Sequence, residues 1–192
     1  MLAGAPRANS FRPPSGDPGV EPTVRQRVLH GRGLASSTGS EVAFAIRIEA
    51  SHRYDVPVDH GFAFVTDTAN WSRFWPGFVR LEPESTWGAP GDTARLVTRI
   101  LGRERTLTMT LTTFDPNQLV TYTSTQPGLP YARHERVFER DGDGFVYRLV
   151  VEYDPRDGLA GVPDRLLLPR GIRRAFEQTF AALERELTTP EI

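Results

Sequence analysis

The stretch Asp55-Val56-Pro57-Val58-Asp59-His60-Gly61-Phe62-Ala63-Phe64-Val65-Thr66-Asp67-Thr68-Ala69-Asn70-Trp71-Ser72-Arg73-Phe74-Trp75-Pro76 decides how this chain is read. Pro57 suits the first turn of a helix, where its missing N–H has no partner to lose. Val58, Phe62 and Val65 then recur at i, i+4 and i+7, a one-sided helical stripe. Asp67 or Thr68 is placed to cap a second short helix carrying Trp71, Phe74 and Trp75 at i, i+3 and i+4. Pro76 ends it, because the residue before a proline is pushed out of helical geometry.

Upstream of that stretch, Phe44, Ile46, Ile48 and Ala50 alternate with Arg47, Glu49 and Ser51, the mark of a half-buried strand. His52 and Tyr54 continue its inward parity and are expected at the core edge or on a cavity wall. Downstream come strands over 78–82 and 91–101, the latter with Ala94, Leu96, Thr98 and Ile100 on one face and Arg95 and Arg99 on the other. After a turn at Gly102-Arg103, Leu107, Met109 and Leu111 alternate with Thr106, Thr108, Thr110 and Thr112. Asp115-Pro116-Asn117 turns the chain into a strand over 119–125, and Gln126-Pro127-Gly128-Leu129-Pro130 is a loop.

Strands over 131–140 and 145–153 are joined by Asp141-Gly142-Asp143-Gly144, a strong hairpin signal. With Ala132, His134 and Phe138 inward, Tyr147, Leu149 and Val151 share that face. Arg133 and Glu135 then point outward near Arg148 and Glu152, and either register the turn allows makes one opposite-charge pair. A helical segment over 164–187 closes the chain, with Pro169 kinking or dividing it. Ile172, Ala175, Phe176, Thr179, Phe180, Leu183 and Leu187 form its apolar stripe.

Strand, two short helices, six strands and a long terminal helix is an α+β order. Together with Val56-Pro57, Asp67, Trp71 and Trp75-Pro76, it resembles the SRPBCC superfamily of START-like, helix-grip domains, which includes the polyketide cyclase/dehydrase-like group. The resemblance covers about residues 43–188. It implies a curved antiparallel sheet of about seven strands wrapped on the C-terminal helix, each covering the other's apolar face. It also implies an internal cavity of the kind that family members use for lipids, polyketides and sterols.

Composition sets the outer bounds. At 192 residues, 39% of them hydrophobic, the chain suits one domain with a substantial core. Residues 1–41, rich in Gly, Pro, Ser and Arg, show no sustained apolar period and are expected to be a disordered tail; the ligand-binding domain is expected over 42–190. No stretch approaches the ~18–20 apolar residues of a membrane span, and no secretory leader is apparent. The absence of cysteine removes disulfides, thiolate nucleophiles and cysteine metal sites, and fits a cytoplasmic protein. All 23 basic residues are arginine, so no Schiff-base or P-loop lysine exists. Residues 41–192 carry 18 arginines against 22 acids, which leaves no basic footprint for nucleic acid.

Two inward residues stand out. His134 is either a general acid/base or a hydrogen-bonded lining residue. Arg136, inward by parity, is either a rim residue, where the strand end twists out of pattern, or buried and in need of an acceptor: an internal acid or a ligand's carboxylate or phenolate. The sequence does not fix catalytic residues; the candidates are His134 and Arg136, with a tyrosine as the alternative partner to His134. The expected ligand-binding set is Leu96, Thr98, Ile100, Met109, Leu111, Tyr122, His134, Arg136, Tyr147, Leu149, Phe176 and Phe180. Trp71, Phe74 and Trp75 either face a ligand or pack the short helices on the sheet. The four histidines lack H-x-x-x-H or H-x-H spacing, and Asp141 and Asp143 lack the glutamate a calcium loop needs. No metal or other cofactor is expected. The resemblance implies two functions in competition: binding of a small hydrophobic or amphipathic molecule, or cofactor-independent polyketide cyclase, aromatase or dehydratase chemistry on a poly-β-ketone.

Overall fold

The structure, a computed structural model, describes residues 23–27, 44–100 and 103–188. Its strands are β1 (Thr23–Arg27), β2 (Ile46–Tyr54), β3 (Phe78–Leu81), β4 (Thr93–Ile100), β5 (Arg103–Asp115), β6 (Leu119–Thr125), β7 (Ala132–Asp141) and β8 (Gly144–Tyr153). They form one antiparallel sheet in the order β1-β2-β8-β7-β6-β5-β4-β3. Strands β2 to β8 are the seven anticipated from the alternation. The eighth, β1, lies within the segment expected to lack structure; the remainder of that segment lies outside the described residues, as does the turn at Gly102.

Helix α1 (Val58–Thr66) begins immediately after Pro57 and buries Val58, Phe62 and Val65 against the sheet. Gly61 is where α1 crosses closest: a Cβ there would lie 2.2 Å from the ring of the buried Phe145. Asp67 is the cap, its carboxylate accepting the Ala69 N–H at 2.9 Å over a single 3-10 turn. Helix α2 (Trp71–Phe74) follows, burying Trp71 and Phe74.

The β7–β8 hairpin has the expected faces. Arg133 stands opposite Glu152 and pairs with it at 3.8 Å, while His134 stands opposite Val151 and Arg136 opposite Leu149. Gly142 takes a φ of 61° in the two-residue turn, a conformation open to glycine at no steric cost.

The terminal segment is split, but not at its proline. Helix α3 (Gly161–Leu166) ends at Leu167, and α4 (Leu168–Thr188) carries Pro169 in its first turn, where the missing N–H breaks no helical bond. The stripe of α4 is buried from Phe176 to Leu187, with Ile172 and Ala175 half-buried at its start. Among the described residues no helix is long and apolar enough to cross a membrane.

Candidate functional site

A cavity of about 160 Å³ lies between the sheet and the first half of α4. The sheet gives it Tyr122 from β6, His134 and Arg136 from β7, and Tyr147, Leu149 and Val151 from β8. Helix α4 roofs it with Ile172, Ala175, Phe176 and Thr179, and Phe74, Trp75 and Pro76 close the third side. Trp75 and Phe176 line it from opposite sides and keep the space between sheet and helix small. A larger open groove of about 500 Å³ runs over the opposite face, lined by Arg95, Thr106, Thr108 and the 126–131 loop. It is shallow and rimmed by exposed side chains, so it encloses nothing.

Arg136 dominates the cavity electrically. It is 5% exposed, yet it has no carboxylate partner among the described residues. Its guanidinium lies between aromatic faces, 4.8 Å from the Trp75 ring and 5.3 Å from that of Tyr122. One long contact runs to the Tyr122 hydroxyl at 3.5 Å, and its Nε–H has no acceptor. The Trp87 indole N–H is also buried without a partner, and its ring packs edge-on to Tyr122 at 5.4 Å. Two orphan donors therefore flank the same tyrosine, and buried donors of this kind are rare unless something else supplies the acceptor.

His134 stacks on Tyr122 with centroids 4.5 Å apart and shares a 2.7 Å hydrogen bond with Ser124 Oγ through Nε2. Its accessible surface is modest and faces the cavity. Burial in this apolar surround pushes its pKa down to about 3, and the Arg136 charge adds to the effect. The imidazole is thus neutral at physiological pH. Burial likewise pushes the Tyr147 hydroxyl up, so it stays protonated as a potential donor.

The depressed histidine carries a stability prediction with a definite sign. Unfolded, the ring takes a proton near pH 6.5; folded, it does so only near 3. The stability tied to keeping it neutral is therefore complete above about pH 6.5 and drains as pH falls toward 3. We expect the protein to lose roughly 1–2 kcal/mol more than His134→Gln between pH 7 and pH 5, read from urea midpoints. Parallel losses in the two proteins would show that His134 is protonated as easily in the fold as out of it.

Of the expected ligand-binding residues, Tyr122, His134, Arg136, Tyr147, Leu149 and Phe176 meet on the cavity wall. Leu96, Met109, Leu111 and Phe180 are buried in the core away from it. Thr98 instead secures the turn after α2, its hydroxyl donating to the Gly77 carbonyl at 3.1 Å; the side chain of Ile100 lies outside the described residues. The wall also includes Phe74, Trp75, Ile172, Ala175 and Thr179. Their signal was the α4 stripe and the tryptophan-rich turn, which mark burial without saying which buried residues border empty space. Tyr54 and Tyr153, though inward, are spoken for: their hydroxyls donate to the carbonyls of Phe180 at 3.3 Å and Asp164 at 2.7 Å. Among the described residues no group of histidines and acids could hold a metal ion.

The sequence profile of the family described as polyketide cyclase / dehydrase and lipid transport matches residues 45–188. No curated protein matches the chain. Solved structures share its fold at low identity. An aromatase/cyclase from a Streptomyces species, Zhui, is 18% identical with a TM-score of 0.61, over 73% of this chain and 92% of that one. The protein TTHA0849 of Thermus thermophilus is 16% identical with a TM-score of 0.61, over 72% and 94%. CalU16 of Micromonospora echinospora is 18% identical with a TM-score of 0.54, over 87% of each chain.

Proposed function

Because the chain belongs to the polyketide cyclase / dehydrase and lipid transport family, we propose that it binds one small amphipathic molecule, apolar body inward and anionic or oxygen head on Arg136. The observation that carries this reading is a buried, unpaired guanidinium on the wall of an otherwise aromatic and aliphatic cavity. Arginine stays charged in proteins, and an isolated buried charge is costly, so a ligand anion is the natural partner. The size of the body follows from the volume. A cavity near 150 Å³ accepts about one benzene ring, so a single-ring acid fits the space of about 160 Å³ as it stands. A longer ligand requires Trp75 or Phe176 to swing aside.

The competing reading, catalysis on a poly-β-ketone, asks His134 to take a proton at neutral pH. A base whose pKa lies near 3 is poorly matched to that task, and a poly-β-ketone is larger than the space available. Binding without turnover therefore fits these side chains better. The fluorescence of Trp75 and Trp87 should report occupancy directly. Titration with phenylacetate should give a dissociation constant at least tenfold below that for benzyl alcohol, the same ring without the charge. Equal affinity for the two would sink the role assigned to Arg136.

A further inference from the structure

Among the described residues six large apolar side chains are exposed, and all sit at one end of the sheet. Leu129 and Tyr131 belong to the loop entering β7. Leu159, Val162, Leu166 and Leu167 belong to the segment that leaves β8 and forms α3. The two segments are neighbours because the first residue of β7, Ala132, stands opposite the last of β8, Tyr153. Exposure in the second segment is high: 92% for Leu159, 49% for Val162, 58% for Leu166 and 64% for Leu167.

This segment is held firmly. The Asp164 carboxylate is buried and accepts from the Arg156 guanidinium twice at 2.9 Å and from the Arg156 backbone N–H at 3.0 Å. The Asp164 carbonyl accepts from the Tyr153 hydroxyl. The leucines are thus displayed on an anchored scaffold, and a contiguous apolar display of this kind marks an interaction surface.

Charge indicates what the surface meets. Between residues 156 and 174 five arginines stand against two aspartates, one of which is already clamped by Arg156. The rest of residues 41–192 runs the other way, with 20 acids against 13 arginines. Arg165, Arg170 and Arg174 are exposed around the leucines, with Asp157 the other acid within 156–174 and Glu177 exposed one turn beyond Arg174. A second copy docking here about a two-fold axis would bring arginine clusters face to face. An anionic bilayer satisfies both features, taking leucines into the acyl boundary and arginines at the phosphates.

We propose that this end of the domain docks on membranes rich in anionic lipid, through Leu159, Val162, Leu166 and Leu167 with Arg165, Arg170 and Arg174 at the headgroups. The surface runs directly into the start of α4, whose Ile172 and Phe176 wall the cavity, so docking would set the cavity beside the bilayer. The proposal does not depend on which molecule the cavity holds.

The test is co-sedimentation of the full chain with phosphatidylcholine vesicles, with and without 30% phosphatidylglycerol. Binding to the anionic vesicles should be at least tenfold tighter than to neutral ones and should weaken with added salt. The triple variant Leu159→Ser, Leu166→Ser, Leu167→Ser should lose at least tenfold, as should Arg165→Gln, Arg170→Gln, Arg174→Gln. Both should keep the parent's thermal midpoint, because the replaced side chains are exposed. Three results would overturn the proposal: no binding to either vesicle, equal binding to both, or undiminished binding by the serine variant. The last would assign the affinity to the arginines of residues 1–40. Self-association that the serine variant abolishes, seen by light scattering without vesicle binding, would give the surface to a second copy instead.

Discussion

Arg136→Met should lose its preference for anionic ligands while the unliganded protein becomes no less stable than the parent. The two expectations come from the same geometry. The guanidinium is 5% exposed and its Nε–H has no acceptor among the described residues. Burying such a charge costs several kcal/mol. Against that stand contacts with two aromatic faces, worth on the order of 1–2 kcal/mol each when desolvated, and one hydroxyl contact at 3.5 Å that adds little. The terms nearly cancel, and methionine of similar length removes the cost while keeping the packing on Trp75 and Tyr122. The thermal midpoint should therefore hold or rise by a few degrees. With phenylacetate the balance reverses, because a charge-assisted hydrogen bond is worth roughly 1.5–3 kcal/mol. Affinity should then fall by about 10- to 100-fold, and binding of benzyl alcohol should change little. A marked fall in the midpoint with anion affinity intact would mean that Arg136 braces the sheet and takes no part in recognition.

Much of this architecture is legible in the chain because one face of each central strand is buried. Burial on one face forces the period-2 alternation that places Leu107, Met109 and Leu111 together and His134 with Arg136. The stripe on α4 is legible for the matching reason at a period of 3.6. Legibility stops where the answer depends on how elements sit over one another. Alternation marks Leu96, Met109 and Tyr122 alike as inward, yet only Tyr122 borders the cavity, since that depends on where α4 and α2 cross the sheet. The break before α4 is another such case: Pro169 looks like the divider, but a proline is tolerated in a first turn, and the chain breaks at Leu167 instead. The exposed leucines on and around α3 are hard to read because they resemble ordinary helix-core residues. A continuous apolar run such as Leu166-Leu167-Leu168 does not say which of its members the fold leaves uncovered.

The tryptophan-rich turn separates into two roles that one substitution each can tell apart. Trp71 is fully buried; its indole N–H donates to the Val65 carbonyl at 3.2 Å, and its ring packs on Trp75 and Trp87, each with centroids 5.3 Å away. Trp75, four residues on, is only half-buried and faces the cavity and Arg136. Trp71→Ala should cost about 3–5 kcal/mol for the void it leaves, and the stranded Val65 carbonyl adds to that loss. Domains of this kind hold only ~5–15 kcal/mol in reserve. At about 2–4 °C per kcal/mol for a chain of this size, the thermal midpoint should drop by roughly 10–15 °C. Trp71→Phe, which keeps most of the ring, should lose about half as much. Trp75→Ala should show the opposite balance: a smaller loss of stability, because its ring is already part of a cavity wall, with room gained for ligands longer than a single ring. A Trp71→Ala protein that melts within a few degrees of the parent would show that the two short helices are not wedged onto the sheet by this residue. The junction between α2 and α4 would then have to be held by Phe74 and by the Arg73–Glu186 ion pair.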